Sequence, residues 1–218
     1  MRIILVFILS FLSGAVFANA EAEAHLSKML EKYNSLSVYE DNGTSRTKFI
    51  RPDGSSFIDD LKFTTSFIEN ESLYFKWVEQ PNELLKRIGG KLAEPKTYIV
   101  WKNKSGIFSE FNNEEEQYTK LSTALSSATG ISSSLAWMTP RYLSPEIPCK
   151  PSLGAEASEI VSSDGDTIII KQIHSRGGIS KLYIDKATYL ISKYEMFREL
   201  YNGSKTEQVA VFNIVEAK

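Results

Sequence analysis

What this chain lacks narrows its chemistry before any element is placed. Of 218 residues, one is cysteine and two are histidine. A single thiol, Cys149, permits no internal disulfide, so the fold must be held by its core. Two scattered histidines and one cysteine give no ligand spacing for zinc, and no metal or cofactor is expected. Charge of one sign is also missing: 25 basic against 27 acidic residues give a formal net charge of −2. That is no footprint for nucleic acid, which asks for a basic stripe. No glycine-rich phosphate loop occurs, since Gly89-Gly90 and Gly177-Gly178 read as turns. Nucleophilic catalysis lacks its signature as well. Gly130-Ile131-Ser132 has no closing glycine and follows a helical pattern, not a strand. His25 and His174 are the only imidazole bases, one near the start of the chain and one at a strand end. A hydrolase would need an unrecognised site near His174, and the chain is read as non-enzymatic.

One long apolar run is present, and it stands at the start. Arg2 precedes Ile3 to Leu12, Gly14 breaks the run, and Ala18-Asn19-Ala20 offers small-x-small cleavage spacing. The run is short of the roughly 20 residues that span a bilayer. Residues 1–20 are therefore expected to be a cleaved secretory signal, and residues 21–218 a single periplasmic domain. No other segment is apolar enough to cross a membrane, and Cys149 is far from any lipid-attachment position.

The most patterned stretch is Leu61 to Glu79. Leu61, Phe63, Thr65 and Phe67 alternate with polar residues, and Leu73, Phe75 and Trp77 do so again after Glu69-Asn70-Glu71. Period-two alternation around a short polar turn predicts an antiparallel hairpin. Centring the turn on Asn70 sets Phe67 against Leu73, Thr65 against Phe75 and Phe63 against Trp77, all on one face. Lys62, Ser66, Tyr74 and Lys76 share the other.

Around this hairpin the pattern is mostly β. Leu26, Met29, Leu30, Tyr33 and Leu36 mark an amphipathic helix over 22–36. Ser37 to Phe49 reads as the first strand, and Arg51-Pro52-Asp53-Gly54 as a turn. Thr97 to Trp101 and Ile107 to Phe111 form a second hairpin. Asn113, followed by Glu114 to Glu116, predicts a capped helix with Tyr118, Leu121, Ala124, Leu125 and Ala128 on one face, ended by Gly130. A short second helix through Leu135, Trp137 and Met138 precedes Pro140. Tyr142 to Leu153, with three prolines, reads as a crossing loop. Five strands follow, separated by tight turns, as an antiparallel meander. The fold class expected is α+β, mainly β: a curved antiparallel sheet of about ten strands, an incomplete barrel, with helices on its concave side.

The order of these parts resembles the bacterial periplasmic outer-membrane lipoprotein carrier (LolA/LolB-like) superfamily. The likeness runs from the helix Leu26 to Leu36 through Phe63-x-Thr65-x-Phe67, Leu73-Tyr74-Phe75-x-Trp77, Tyr98-Ile99-Val100-Trp101 and Ala124-Leu125-x-x-Ala128-Thr129-Gly130-Ile131-Ser132. It ends in Leu182-Tyr183-Ile184-Asp185-Lys186-x-Thr188-x-Leu190-Ile191. The resemblance implies a half-barrel with helices in its mouth as a lid, and a concave side that takes acyl chains in carriers. Leu61, Phe63, Phe67, Leu73, Phe75, Trp77 and Trp101 are then expected to line that side beneath Trp137 and Met138. Two readings stand beside each other. In one, a monomeric carrier holds an acyl chain, a lipoprotein or another apolar ligand. In the other, the helices fill the concavity and an outer face meets envelope proteins.

Overall fold

In a computed structural model, residues 20–80, 96–111, 113–128, 138–147, 154–163, 165–175 and 177–218 are described. The leader expected over 1–20 lies outside them except for Ala20, as do Gly89-Gly90, Gly130 to Trp137 and Cys149.

The described chain forms eleven antiparallel strands in one curved sheet that does not close. They are β1 (Val38–Ile50), β2 (Ser56–Ile68), β3 (Ser72–Glu79), β4 (Thr97–Asn103), β5 (Gly106–Phe111), β6 (Glu114–Tyr118), β7 (Ala155–Ser162), β8 (Thr167–His174), β9 (Ile179–Asp185), β10 (Ile191–Glu199) and β11 (Lys205–Ala217). Helix α1 spans 20–34, α2 Leu121–Ala128 and α3 Met138–Leu143.

The strand order is β6-β5-β4-β3-β2-β1-β11-β10-β9-β8-β7. Every neighbouring pair is consecutive in the chain except β1 and β11, which join the two halves. The first half therefore meanders outward to β6, and the second starts at the opposite edge and meanders back. The connection from β6 to β7 must cross a sheet of ten strand spacings, roughly 48 Å measured along its surface. That connection carries α2 and α3, which explains why they lie over one face.

The hairpin register is the expected one: Phe67 faces Leu73, Thr65 faces Phe75 and Phe63 faces Trp77. Leu61, Phe63, Thr65, Phe67, Leu73 and Phe75 are buried, and Trp77 is partly so. Helix α1 lays Ala22, Leu26, Met29 and Tyr33 onto this concave face, with Leu36 following just beyond its end. The Tyr33 hydroxyl accepts the Ile191 N–H at 3.1 Å, which pins α1 to β10. In β1 the inward positions run Tyr39, Asp41, Gly43, Ser45 and Thr47, small and polar at the centre of the sheet. Gly43 is required by a close approach. A Cβ there would stand 2.2 Å from the Val211 carbonyl oxygen and 2.3 Å from Phe63 Cζ. The bare backbone lets Phe63 and Phe212 meet edge to face at 5.2 Å.

Two expectations fail here. Asn113 does not cap a helix, and Glu114 to Tyr118 is the edge strand β6, paired with β5. Asn113 has φ 66°, a left-handed conformation suited to a turn, so the chain folds back onto the open edge of β5. The backbone groups of that edge outweigh the favourable charge–dipole pattern, and the helix starts only at Leu121. The second concerns Tyr142 and Leu143, assigned to a crossing loop. They close α3 and are buried, with Pro140 tolerated in its first turn.

A candidate ligand cavity at the hairpin end of the curved sheet

The structure separates the expected site residues into four groups. Leu61, Phe63 and Phe75 lie on the concave face but are packed into the core. Trp77 is on the same face, stacked on Tyr98 at 5.9 Å, and Met138 is buried at the start of α3. Trp101 is not on that face. Its partner across the β3–β4 pair is Tyr74, an outward residue, and it stacks on Phe108 at 5.5 Å on the convex side. The error is one of phase: β4 alternates from Tyr98 and Val100 inward, so Trp101 must point outward, a rule indifferent to side-chain size. Trp137 lies outside the described residues.

Phe67 and Leu73 form the fourth group. They open onto a cavity of about 630 Å³, at the turn end of the hairpin. Its apolar walls come from α1 and the residues just after it (Leu30, Leu36), from Leu121 of α2, and from Tyr142, Leu143 and Ile147 in and after α3. Charged residues ring the opening. Glu69 and Glu71 stand on the β2–β3 turn, Lys102 and Lys104 on the β4–β5 hairpin, and Glu146 after α3, while Arg141 of α3 is half-buried in the wall among the polar residues Asn34, Ser72, Asn103 and Ser144. Lys102 pairs with Glu146 across it, tying the segment after α3 to β4. Both partners are well exposed, so this tie contributes less than about 1 kcal/mol. The volume falls within the range of about 300–1,000 Å³ typical of ligand sites.

Behind the cavity wall is a buried polar node that the alternation pattern places but does not flag. Tyr142 stacks on Tyr33 at 5.3 Å, and Tyr33 approaches Tyr39 at 5.9 Å. Tyr39 donates to Asp41 Oδ2 at 2.8 Å, and the Thr65 N–H donates to Oδ1 at 3.0 Å. A β-bulge between β1 and β11 at Glu40/Asp41 sets the local direction of this carboxyl. Thr139 of α3 is within hydrogen-bonding reach of Tyr33, Tyr39 and Asp41. Burial pushes the Asp41 carboxyl up to about 6, against Tyr39, Thr65 and Thr139, which pull it down. Burial, reinforced by the neighbouring Asp41, also raises the Tyr33 and Tyr39 phenols, which therefore stay neutral at ordinary pH. The signal for Asp41 was present in the sequence, because Tyr39-x-Asp41-x-Gly43 shares one face of a strand whose other side meets water.

The histidines lie elsewhere. His25 stacks on Tyr189 at 6.1 Å. His174 Nε2 is 2.8 Å from Ser180 Oγ, on the inward side of the second half of the sheet, and burial lowers its pKa. Neither lines the cavity.

The fold and site thus define an open, curved antiparallel sheet with helices packed on its concave face and a ligand-sized cavity of mixed polar and apolar lining at one end. No family model and no curated protein matches the chain. Solved structures to which it is similar include an outer-membrane lipoprotein-sorting protein domain from Vibrio parahaemolyticus, at 11% identity and a TM-score of 0.37, over 92% of this chain and 92% of that one. A LolA superfamily protein from Nitrosomonas europaea is similar at 8% identity and a TM-score of 0.31, over 88% and 91%. The Pseudomonas aeruginosa MucA/MucB complex gives 12% identity and a TM-score of 0.42, over 91% of this chain but 58% of the other. One of these neighbours bears the name of the superfamily that the sequence resembles.

Proposed function

We propose that this chain is a non-enzymatic binding protein of the bacterial periplasm that takes an apolar chain into the cavity between Phe67, Leu73 and α3. The ligand class is an acyl chain, free or carried on a lipoprotein. The observation that carries the reading is the cavity itself, which offers a continuous apolar strip from Leu30, Leu36, Phe67, Leu73, Leu121 and Leu143 within a lining that is otherwise mostly polar. Water filling the space leaves these apolar side chains hydrated, and an apolar chain that displaces it removes their surface from water. Each methylene buried there contributes about 0.8 kcal/mol, so a chain of about ten methylenes gains roughly 8 kcal/mol before the costs of association. The signal-like run at Ile3 to Leu12 supports the compartment.

The reading places the ligand at the turn end of the hairpin, not along its length. Phe63 and Phe75 are buried in the core cluster that the α1 residues share, which favours the second reading for that part of the concavity: it is filled from within.

Delipidated protein should take up radiolabelled fatty acid or lysolipid saturably in equilibrium dialysis. Phe67→Gln or Leu73→Gln should weaken binding about tenfold or more with the circular dichroism spectrum unchanged. No saturable uptake, together with no lipid in an organic extract of native protein, refutes the proposal.

A further inference from the structure

We propose that the node of Asp41, Tyr39, Tyr33 and Thr139 is a proton-operated latch that couples α3, and with it one wall of the cavity, to the sheet. The coupling is geometric. Asp41 is wholly buried, with Thr139 of α3 in hydrogen-bonding reach and Tyr33 of α1 beside it. The same short helix carries Tyr142 and Leu143 into the cavity wall. Any movement of α3 that opens the cavity also removes Thr139 from Asp41 and admits water to the carboxyl.

The groups facing Asp41 are Tyr33 from α1, Tyr39 from β1, Thr65 from β2 and Thr139 from α3, and Ile214 of β11 lies across from it in the register. Among the described residues none of these is a cation, and no ion pair to Asp41 is present. The negative form is therefore held by hydroxyls and one amide alone, in a dry place. Water restores the hydration that burial removed, so the charged form favours the opened state and the protonated form the closed one. Raising the pH through the carboxyl's folded-state titration loosens α3, and lowering it tightens α3. The latch rests on the proposed ligand site for its role, yet its movement can be followed without a ligand.

The test is amide hydrogen exchange on the full chain, read in peptides spanning Met138 to Ile147 and corrected for the intrinsic pH dependence of exchange. Between pH 5 and pH 7.5 the opening constant of this segment should rise about tenfold, as linkage requires for a group near 6 closed and near 3.9 open. Asp41→Asn should flatten that rise. Thr139→Val, which removes one donor to the carboxylate and leaves the aromatic packing, should move the midpoint to higher pH. A flat wild-type profile, or a rise that persists in Asp41→Asn, overturns the latch. Should Asp41→Asn fail to fold, the wild-type profile and the Thr139→Val midpoint decide it; an unmoved midpoint counts against. Lysolipid binding separates the two claims. Binding with flat exchange removes the latch and keeps the site, and the reverse result keeps the latch and removes the site.

Discussion

Asp41 is the residue on which stability and site meet. Its carboxyl is raised from 3.8 to about 6 because burial penalises the charge more than its donors compensate. The native state therefore holds the proton more tightly than the unfolded chain. Stability from this group is fully present below about 4, falls as pH rises, and is lost above the folded-state value near 6. A difference of about two units corresponds to roughly 3 kcal/mol. Denaturant midpoints measured from pH 4 to pH 7 should thus show wild type losing about that much relative to Asp41→Asn across the window. A constant difference between the two proteins would show that Asp41 titrates as an ordinary aspartate.

At the scale of elements, the edge strands are protected in different ways. β6 ends the sheet with Glu114, Glu115 and Glu116, all exposed. Lined-up acids make a poor template for a second copy, whereas β7 at the other edge is interrupted by two register shifts. Replacing the three glutamates by threonine keeps strand propensity and removes the charge. Light scattering should then report association at concentrations where wild type stays monodisperse, and unchanged scattering would locate the protection elsewhere. The same strand explains the largest misplacement from sequence. Asn113 with three acids is a good helix start in isolation, and only the open edge of β5 makes it a turn and a strand.

For the whole molecule, β11 is the join. Among the described strands it alone pairs the first half with the second, through a register that runs from Tyr39 opposite Ala217 to Ile50 opposite Lys205. These partners are nearly a chain length apart, so their pairing is entropically late and slow. A chain ending at Ser204 would leave β1 and β10 as open edges and expose the inward Ala210 and Phe212 contacts. It should show no cooperative unfolding transition by circular dichroism, and a sharp transition would show that the halves fold alone.

Much of this was legible in the chain. The hairpin register, the late meander and the inward set Leu61, Phe63, Phe67, Leu73 and Phe75 follow from period-two alternation, because a strand has only two faces. The amphipathic helix before β1 follows from its own spacing. Trp101 shows the limit of reading by residue type, since its bulk suggested the inside while the phase of β4 sent it out. Other outcomes depended on distant partners. The pairing of β1 with β11, the capture of Glu114 to Tyr118 by an edge, and the seating of Thr139 above Asp41 each join residues that no local pattern relates. Which faces are apolar follows from alternation along each strand and helix. Which of those faces the helices cover, and that a cavity stays at Phe67 and Leu73, came from packing, because burial is settled by the space between elements and not by the elements themselves.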